Sequence, residues 1–272
     1  MKDPVVVAAV QLGSQGDVEE NLARVDQRVE EASRRGAQVV VLPENFAYFG
    51  DEEGKRTLAE DLDGAGPIVR CLADRARAHA LWIIAGGLPE RSDDPGRPFN
   101  TCAVFAPDGR VVARYRKVHL FDVDLADGSR YRESACTMPG DAPVVVDMAG
   151  LPIGLSVCYD LRFPELYRAL SVRGAEALVV PAAFTLMTGK DHWHVLLRAR
   201  AIEAQAYVIA AAQWGKHPRG RQTYGKSCII DPWGDVIAQA SEGEGVVTAT
   251  LEPAFLTRVR DSLPALRHRR LD

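Results

Sequence analysis

Long apolar runs are missing from this chain of 272 residues. The stretch Val5–Leu12, after Met1-Lys2-Asp3-Pro4, is too short for a signal peptide or a membrane span. A cytoplasmic protein with no membrane partner is the expectation. Cysteine is sparse: Cys71, Cys102, Cys136, Cys158 and Cys228 are odd in number, widely spaced, and form no CxxC pair. That speaks against a disulfide framework and a Cys-rich zinc site, and predicts small buried thiols everywhere except Cys158. A basic stripe is missing too, and the net charge of −4 is mild, so nucleic acid is not an expected partner. No glycine-rich phosphate loop follows a predicted strand, and no solenoid period appears. Nor does any linker or composition shift divide the chain. One domain over 1–272 is expected, with 263–272 as a C-terminal tail.

What is present alternates short β-branched runs with amphipathic stretches. Val5–Gln11 reads as a strand. A helix capped by Asp17 follows, with Val18, Leu22, Val25, Val29 and Ala32 on one face, ending at Gly36. Ala37–Leu42 is a second strand, so a right-handed parallel crossover is expected. Ile68–Ala80 reads as a helix and Leu81–Ala85 as a strand. Thr101–Ala106 and Arg110–Tyr115 form a hairpin around Asp108-Gly109. Residues 118–142 read as a long loop, of a kind that is usually functional or disordered. Val144–Asp147 and Pro152–Val157 flank Ala149-Gly150. A helix starts at Pro164 and ends near Gly174. After the strand Ala177–Val180, Asp191 is expected to cap a helix that buries Val195, Leu196, Ala199, Ile202 and Ala206. Strands at Tyr207–Ala212, Ser227–Asp231, Val236–Ala240 and Val246–Leu251 precede a short helix, Pro253–Ser262. The class is α/β.

Three polar groups stand where apolar strands end, the place where α/β sheets collect reacting groups. They are Glu44 after Val39–Pro43, Lys117 after Arg110–Tyr115, and Cys158 after Pro152–Val157. Each alone is weak. Together they make a chemical set, because an amide carbon needs a strong nucleophile, a proton acceptor and positive charge at the forming oxyanion. A thiol is mostly protonated at neutral pH, and a carboxylate in a dry pocket suits the role of its base. The backbone N–H of Tyr159, at the start of the next turn, is a candidate second oxyanion donor.

At these residues the chain resembles the nitrilase, or carbon–nitrogen hydrolase, superfamily. The matching segments are Leu42-Pro43-Glu44-Asn45-Phe46, Tyr115-Arg116-Lys117-Val118-His119-Leu120 and Cys158-Tyr159-Asp160-Leu161-Arg162-Phe163-Pro164-Glu165. Tyr131-Arg132-Glu133-Ser134, the stretch Asp191–Ala201, Tyr224-Gly225-Lys226-Ser227 and Asp231-Pro232-Trp233-Gly234 look like its Nit branch. The resemblance implies a four-layer α-β-β-α sandwich paired into a homodimer. It implies Cys158 as nucleophile forming a thioester, Glu44 as general base and Lys117 as oxyanion stabiliser. Glu133 would be a second glutamate that orients Lys117; its other reading is a loop carboxylate paired with Arg130 or Arg132. No cofactor and no metal are implied.

Within the superfamily the chain looks most like amidases acting on deaminated glutathione, with ω-amidases a step further off. Such amides carry carboxylates and need a cation in the pocket. Arg162 is a candidate, although a salt bridge to Asp160 or Glu165 is an equal reading. Phe184 and Thr185 are expected to line the pocket, and Phe184 equally suits the core. His194, Lys226 and Leu186-Met187 depart from the resembled pattern, which leaves the exact substrate open.

Other readings stand beside this one. A Cys–His hydrolase would take its base from His119, His192, His194 or His217. A metal at His192-x-His194 fits poorly, since i and i+2 point to different helix faces. The same triad would attack a small nitrile, and a non-catalytic interaction module would keep the fold without the chemistry.

Overall fold

The structure is a computed structural model that describes residues 1–64, 66–124, 128 and 130–271. Its strands in chain order begin with β1 (Val5–Gln11), β2 (Val39–Leu42), β3 (Trp82–Glu90), β4 (Phe99–Phe105) and β5 (Val111–Arg116). A short hairpin, β6 (Asp122–Asp124) with β7 (Arg130–Arg132), follows. Next come β8 (Val145–Met148), β9 (Leu151–Leu155), β10 (Ala177–Val179) and β11 (Tyr207–Ala210). A second hairpin pairs β12 (Trp214–Lys216) with β13 (Gln222–Tyr224), and β14 (Cys228–Ile230), β15 (Val236–Gln239) and β16 (Gly245–Leu251) complete the set.

Two six-stranded sheets form, in the orders β16-β1-β2-β3-β4-β5 and β15-β14-β11-β10-β9-β8. Their central strands are parallel, as a strand–helix–strand chain requires, and their outer strands antiparallel. Val7, Val41 and Ile84 of one sheet share a dry core with Leu155, Val179 and Ile209 of the other. Helices α1 (Val18–Arg34) and α3 (Pro67–His79) cover the first sheet, burying Val25, Val29, Ile68 and Leu72 against Val40 and Ile83, and the short α2 (Glu52–Thr57) lies between them in the chain. On the second sheet lie α4 (Pro164–Val172) and α5 (Leu186–Ala204). The layers are α-β-β-α, as expected.

Local chemistry sets the ends. Asp17 accepts from the Glu20 N–H at 2.9 Å and caps α1. The buried Glu60 carboxylate accepts from the Ile68 and Val69 N–H groups at 2.8 and 2.9 Å, capping α3 from outside the helix.

Several expectations need correction. The cap of α5 is Thr185, not Asp191: its Oγ1 accepts from the Thr188 N–H at 3.3 Å, so the helix starts six residues earlier. Its buried side runs through Trp193, Leu197, Arg200, Ala201 and Ala204. Val195 and Ile202 instead face outward, 66% and 47% exposed, because Trp193 and Leu197 take the sheet-facing positions. The 118–142 stretch is not structureless; it carries β6, β7 and a 3-10 turn at Glu133–Ala135, while 125–127 and 129 within it lie outside the described residues. The hairpin β12–β13 was not expected at all. The tail after α6 (Pro253–Ser262) holds a 3-10 turn at Ala265–His268, and residue 272 lies outside the described residues. No described helix is long and apolar enough to cross a membrane.

Candidate active site

Glu44 sits two residues past β2, Lys117 one past β5, and Cys158 three past β9. The facing sheets therefore deliver all three to one cavity of about 280 Å³. Pocket space next to Glu44 depends on Gly87 in the bulge of β3. Its φ is +71°, and a Cβ there would lie 2.8 Å from Glu44 Cγ and 2.8 Å from the Asn45 nitrogen. Only glycine fits both the backbone and the space.

The Lys117 ammonium, 2% exposed, is the hub. It donates to Glu44 Oε1 at 3.1 Å and to Glu133 Oε2 at 2.9 Å. Glu44 Oε2 accepts from the Ala183 N–H at 3.1 Å, and the Glu44 carbonyl accepts from Gln213 at 3.0 Å. Glu133 Oε2 also takes the Phe121 N–H at 2.7 Å. Glu133 is thus not paired with Arg130 or Arg132, both of which turn to Asp124. Asn100, which sequence reasoning passed over, bridges the two carboxylates: its Nδ2 lies 3.0 Å from Glu44 Oε1 and 3.1 Å from Glu133 Oε1. Nothing in the local sequence distinguishes that asparagine from any other at a strand start.

Cys158 opens a 3-10 turn, Cys158–Arg162, with φ at +50°, a left-handed conformation that costs a non-glycine residue about 1–3 kcal/mol. Two anchors hold it there. The Cys158 N–H donates to the Pro181 carbonyl at 2.8 Å. The fully buried Asp160 accepts from the Val157 N–H at 2.9 Å, the Tyr115 hydroxyl at 2.8 Å and the His119 N–H at 3.1 Å. Tyr115 and His119 flank Lys117, so one carboxylate ties the lysine strand to the cysteine turn.

Electrostatics follow from burial and charge. Burial alone would lower the Lys117 pKa, but Glu133, Glu44 and Cys158 hold it well above the usual lysine value. Burial would likewise raise the Glu133 carboxyl; the Lys117 charge and hydrogen bonds outweigh it and leave it lowered. The Cys158 thiol is pushed well above its ordinary value by burial and by the Glu44 charge, against the smaller pull of Lys117. At neutral pH the sulfur carries its proton. It needs a base at the moment of attack.

The cavity walls are cationic although the chain is acidic. Lys55, Lys117, Arg130, Arg132, Arg162 and Arg221 line it, against Glu44, Glu52 and Glu133. Among the described residues Arg162 is the one cavity cation with no carboxylate partner: it has no ion pair to Asp160 or Glu165, meets His192 Nδ1 at 3.2 Å, and lies 5.2 Å over the Phe184 ring. Phe184 is both pocket wall and core. Thr185 and Tyr159 also line the cavity, Tyr159 packing edge-on against Phe121 with ring centroids 5.0 Å apart. Lys55 and Arg221 escaped sequence reasoning because chain separation hides them.

No histidine lines the cavity among the described residues. His119 is bound to Asp160 and His217 to the Ser14 carbonyl and Thr223, which removes the base a Cys–His scheme needs. His194 meets Gln239, and no metal-ligand cluster occurs among the described residues.

Residues 6–261 match the carbon-nitrogen hydrolase family. The deaminated glutathione amidase of Synechocystis sp. is 46% identical over 269 residues, 98% of this chain and 98% of its own. The NitFhit protein of C. elegans has the same fold at a TM-score of 0.92 and 38% identity, the match covering 98% of this chain and 65% of the worm protein. An amidase from Nesterenkonia sp. AN1, solved with acrylamide added at its active-site cysteine, matches at a TM-score of 0.79 and 26% identity over 97% of this chain and 99% of its own. A family match along nearly the whole length, with relatives this similar, has one meaning: the chain belongs to the carbon–nitrogen hydrolase family and to its Nit branch.

Proposed function

We propose that this protein is an amidase that cleaves the C–N bond of small carboxylate-bearing amides, of the deaminated-glutathione type, through a thioester on Cys158. The observation that carries this is the convergence of Glu44 and Glu133 on one buried ammonium, each with a carboxylate oxygen within 3.1 Å of Lys117 Nζ, on the cavity that Cys158 faces.

The chemistry follows from the protonation states. Glu44 takes the Sγ proton as the sulfur attacks the amide carbon and the carbonyl π bond opens to an oxyanion. Lys117 and the Tyr159 N–H offset that charge; one such donor is worth about 10²–10³ in rate. As the oxyanion collapses, the C–N bond breaks and Glu44 passes the proton to the leaving nitrogen. Water then attacks the thioester, with Glu44 again as base, releasing the acid and restoring the thiol. Glu133, lowered in pKa and bound to Nζ, keeps the ammonium in place. Arg162, which has no carboxylate partner among the described residues, is the proposed ligand of a substrate carboxylate, with Phe184 and Thr185 shaping the adjoining surface.

An amide is preferred over a nitrile because the relatives are named as amidases. The free thiols suit a reducing compartment such as the cytoplasm. The outward Val195 and Ile202 of α5, beside exposed Val236 and Ile237, support pairing of two copies into a homodimer. Offering the protein deaminated glutathione, α-ketoglutaramate and a simple nitrile, and following amine or ammonia release, tests the assignment. Turnover of the first is expected; exclusive turnover of the nitrile overturns it.

A further inference from the structure

Two carboxylates share one ammonium at this site, so the buried trio carries an excess negative charge and the acids repel. Asn100 stands between them. Each hydrogen of its Nδ2 has one acid to serve, Glu44 Oε1 at 3.0 Å and Glu133 Oε1 at 3.1 Å. Its main-chain carbonyl accepts the Lys117 N–H at 2.9 Å, so this residue touches all three members. Its Oδ1 is buried with no partner among the described residues, an arrangement that costs about 1–3 kcal/mol. Turning the amide over would aim that oxygen at two acceptors, so the donors fix its orientation. Stability alone does not account for a stranded acceptor. Holding two acids does.

We infer that Asn100 is a positioning residue: it clamps Glu44 and Glu133 around Lys117, so that Glu44 is held in place to take the Cys158 proton. This rests on the roles proposed above for Glu44, Lys117 and Glu133. The groups that face the clamp are Lys117, Cys158, the Ala183 and Phe121 N–H groups and, near Glu133, Lys55. An N–H bonded to a carboxylate favours its charged form, so loss of the amide moves the acid limb of the pH profile upward.

The test compares wild type, Asn100→Ala, Asn100→Asp and Glu44→Gln. It measures kcat and KM for deaminated glutathione from about pH 5 to about pH 10, thermal melting, and the rate of Cys158 alkylation by iodoacetamide. Asn100→Ala is expected to lower kcat about 10–100-fold with KM changed by no more than about threefold, and to shift the acid limb to higher pH. Asn100→Asp, isosteric but a third acid, is expected to lose more near pH 8, to recover partly as pH falls, and to alkylate Cys158 more slowly. Equal losses for both variants with an unmoved acid limb and unchanged alkylation, matching only a lost folded fraction, overturn the inference. An inactive Glu44→Gln beside a normal Asn100→Ala sinks the clamp alone. An active Glu44→Gln sinks the roles on which it rests. Should deaminated glutathione not be turned over, the alkylation rates decide: Asn100→Asp matching wild type counts against the clamp, and slower labelling supports it.

Discussion

Lys117 Nζ lies 2.9 Å from Glu133 Oε2, with the lysine side chain 2% and the glutamate side chain 14% exposed. A lysine at a strand end and a carboxylate sixteen residues on, past a hairpin, are thus joined as a buried ion pair. The loop that carries Glu133 is part of the site.

Removing the ammonium by Lys117→Ala leaves two buried carboxylates facing each other. The expected cost is about 3–5 kcal/mol of stability, a fall in melting temperature of roughly 6–20 °C, together with loss of activity beyond about 100-fold. Thermal melting and turnover check this. An unchanged melting temperature contradicts it.

Arg162→Ala is expected to raise KM for a carboxylate-bearing amide by about 10–100-fold, from a charge-assisted contact worth about 1.5–3 kcal/mol, with kcat nearly kept. Turnover of an uncharged amide should not change. Steady-state kinetics on both substrates decide; an equal loss on both makes Arg162 a structural residue.

Stability should depend on pH at both ends. Lys117 and Cys158 are raised above their ordinary values of 10.5 and 9.0, so their contribution is whole below pH 9.0 and is lost as pH rises through their folded values. The buried Cys228 thiol, pushed up to about 12, and the Cys136 thiol, at about 11, add to the same alkaline loss. Glu133 is lowered from 4.5, so its contribution is present above that pH and is lost as pH falls through the folded value. Denaturant melts across this range should show a plateau near neutrality and decline beyond both limits; a midpoint still rising past pH 9.0 would run against the assigned shifts.

Gly87→Ala forces a Cβ into Glu44 and strains a left-handed backbone. Loss of kcat of at least about 10-fold is expected, from the misplaced base. Turnover of the folded variant measures it, and wild-type kcat would show that the bulge leaves the base where it is.

Much of the fold was legible because its signals are local. Asp17 before the apolar period of α1, Pro164 at the start of α4 and Asp108-Gly109 between β4 and β5 all act within a few residues. The antiparallel pairing of β16 with β1 was not legible, since it joins chain ends through long-range contacts. At α5, Asp191 looked like a cap because acids favour first turns, yet the sheet-facing Trp193 and Leu197 set the helix in place and Thr185 begins it. Glu44, Lys117, Glu133 and Cys158 were found by their places at strand ends and by resemblance. Asn100, Lys55 and Arg221 were not, because a side chain whose role is defined by distant partners leaves no mark in its own neighbourhood.

The sulfur of Cys158 as the atom that carries the acyl group is tested most directly by trapping. Protein mixed with deaminated glutathione, quenched in acid within the first turnovers and digested, should yield the Cys158 peptide heavier by the acyl half of the substrate, and no other modified peptide; Cys158→Ala should yield neither adduct nor amine. Continued amine release by Cys158→Ala would contradict the account.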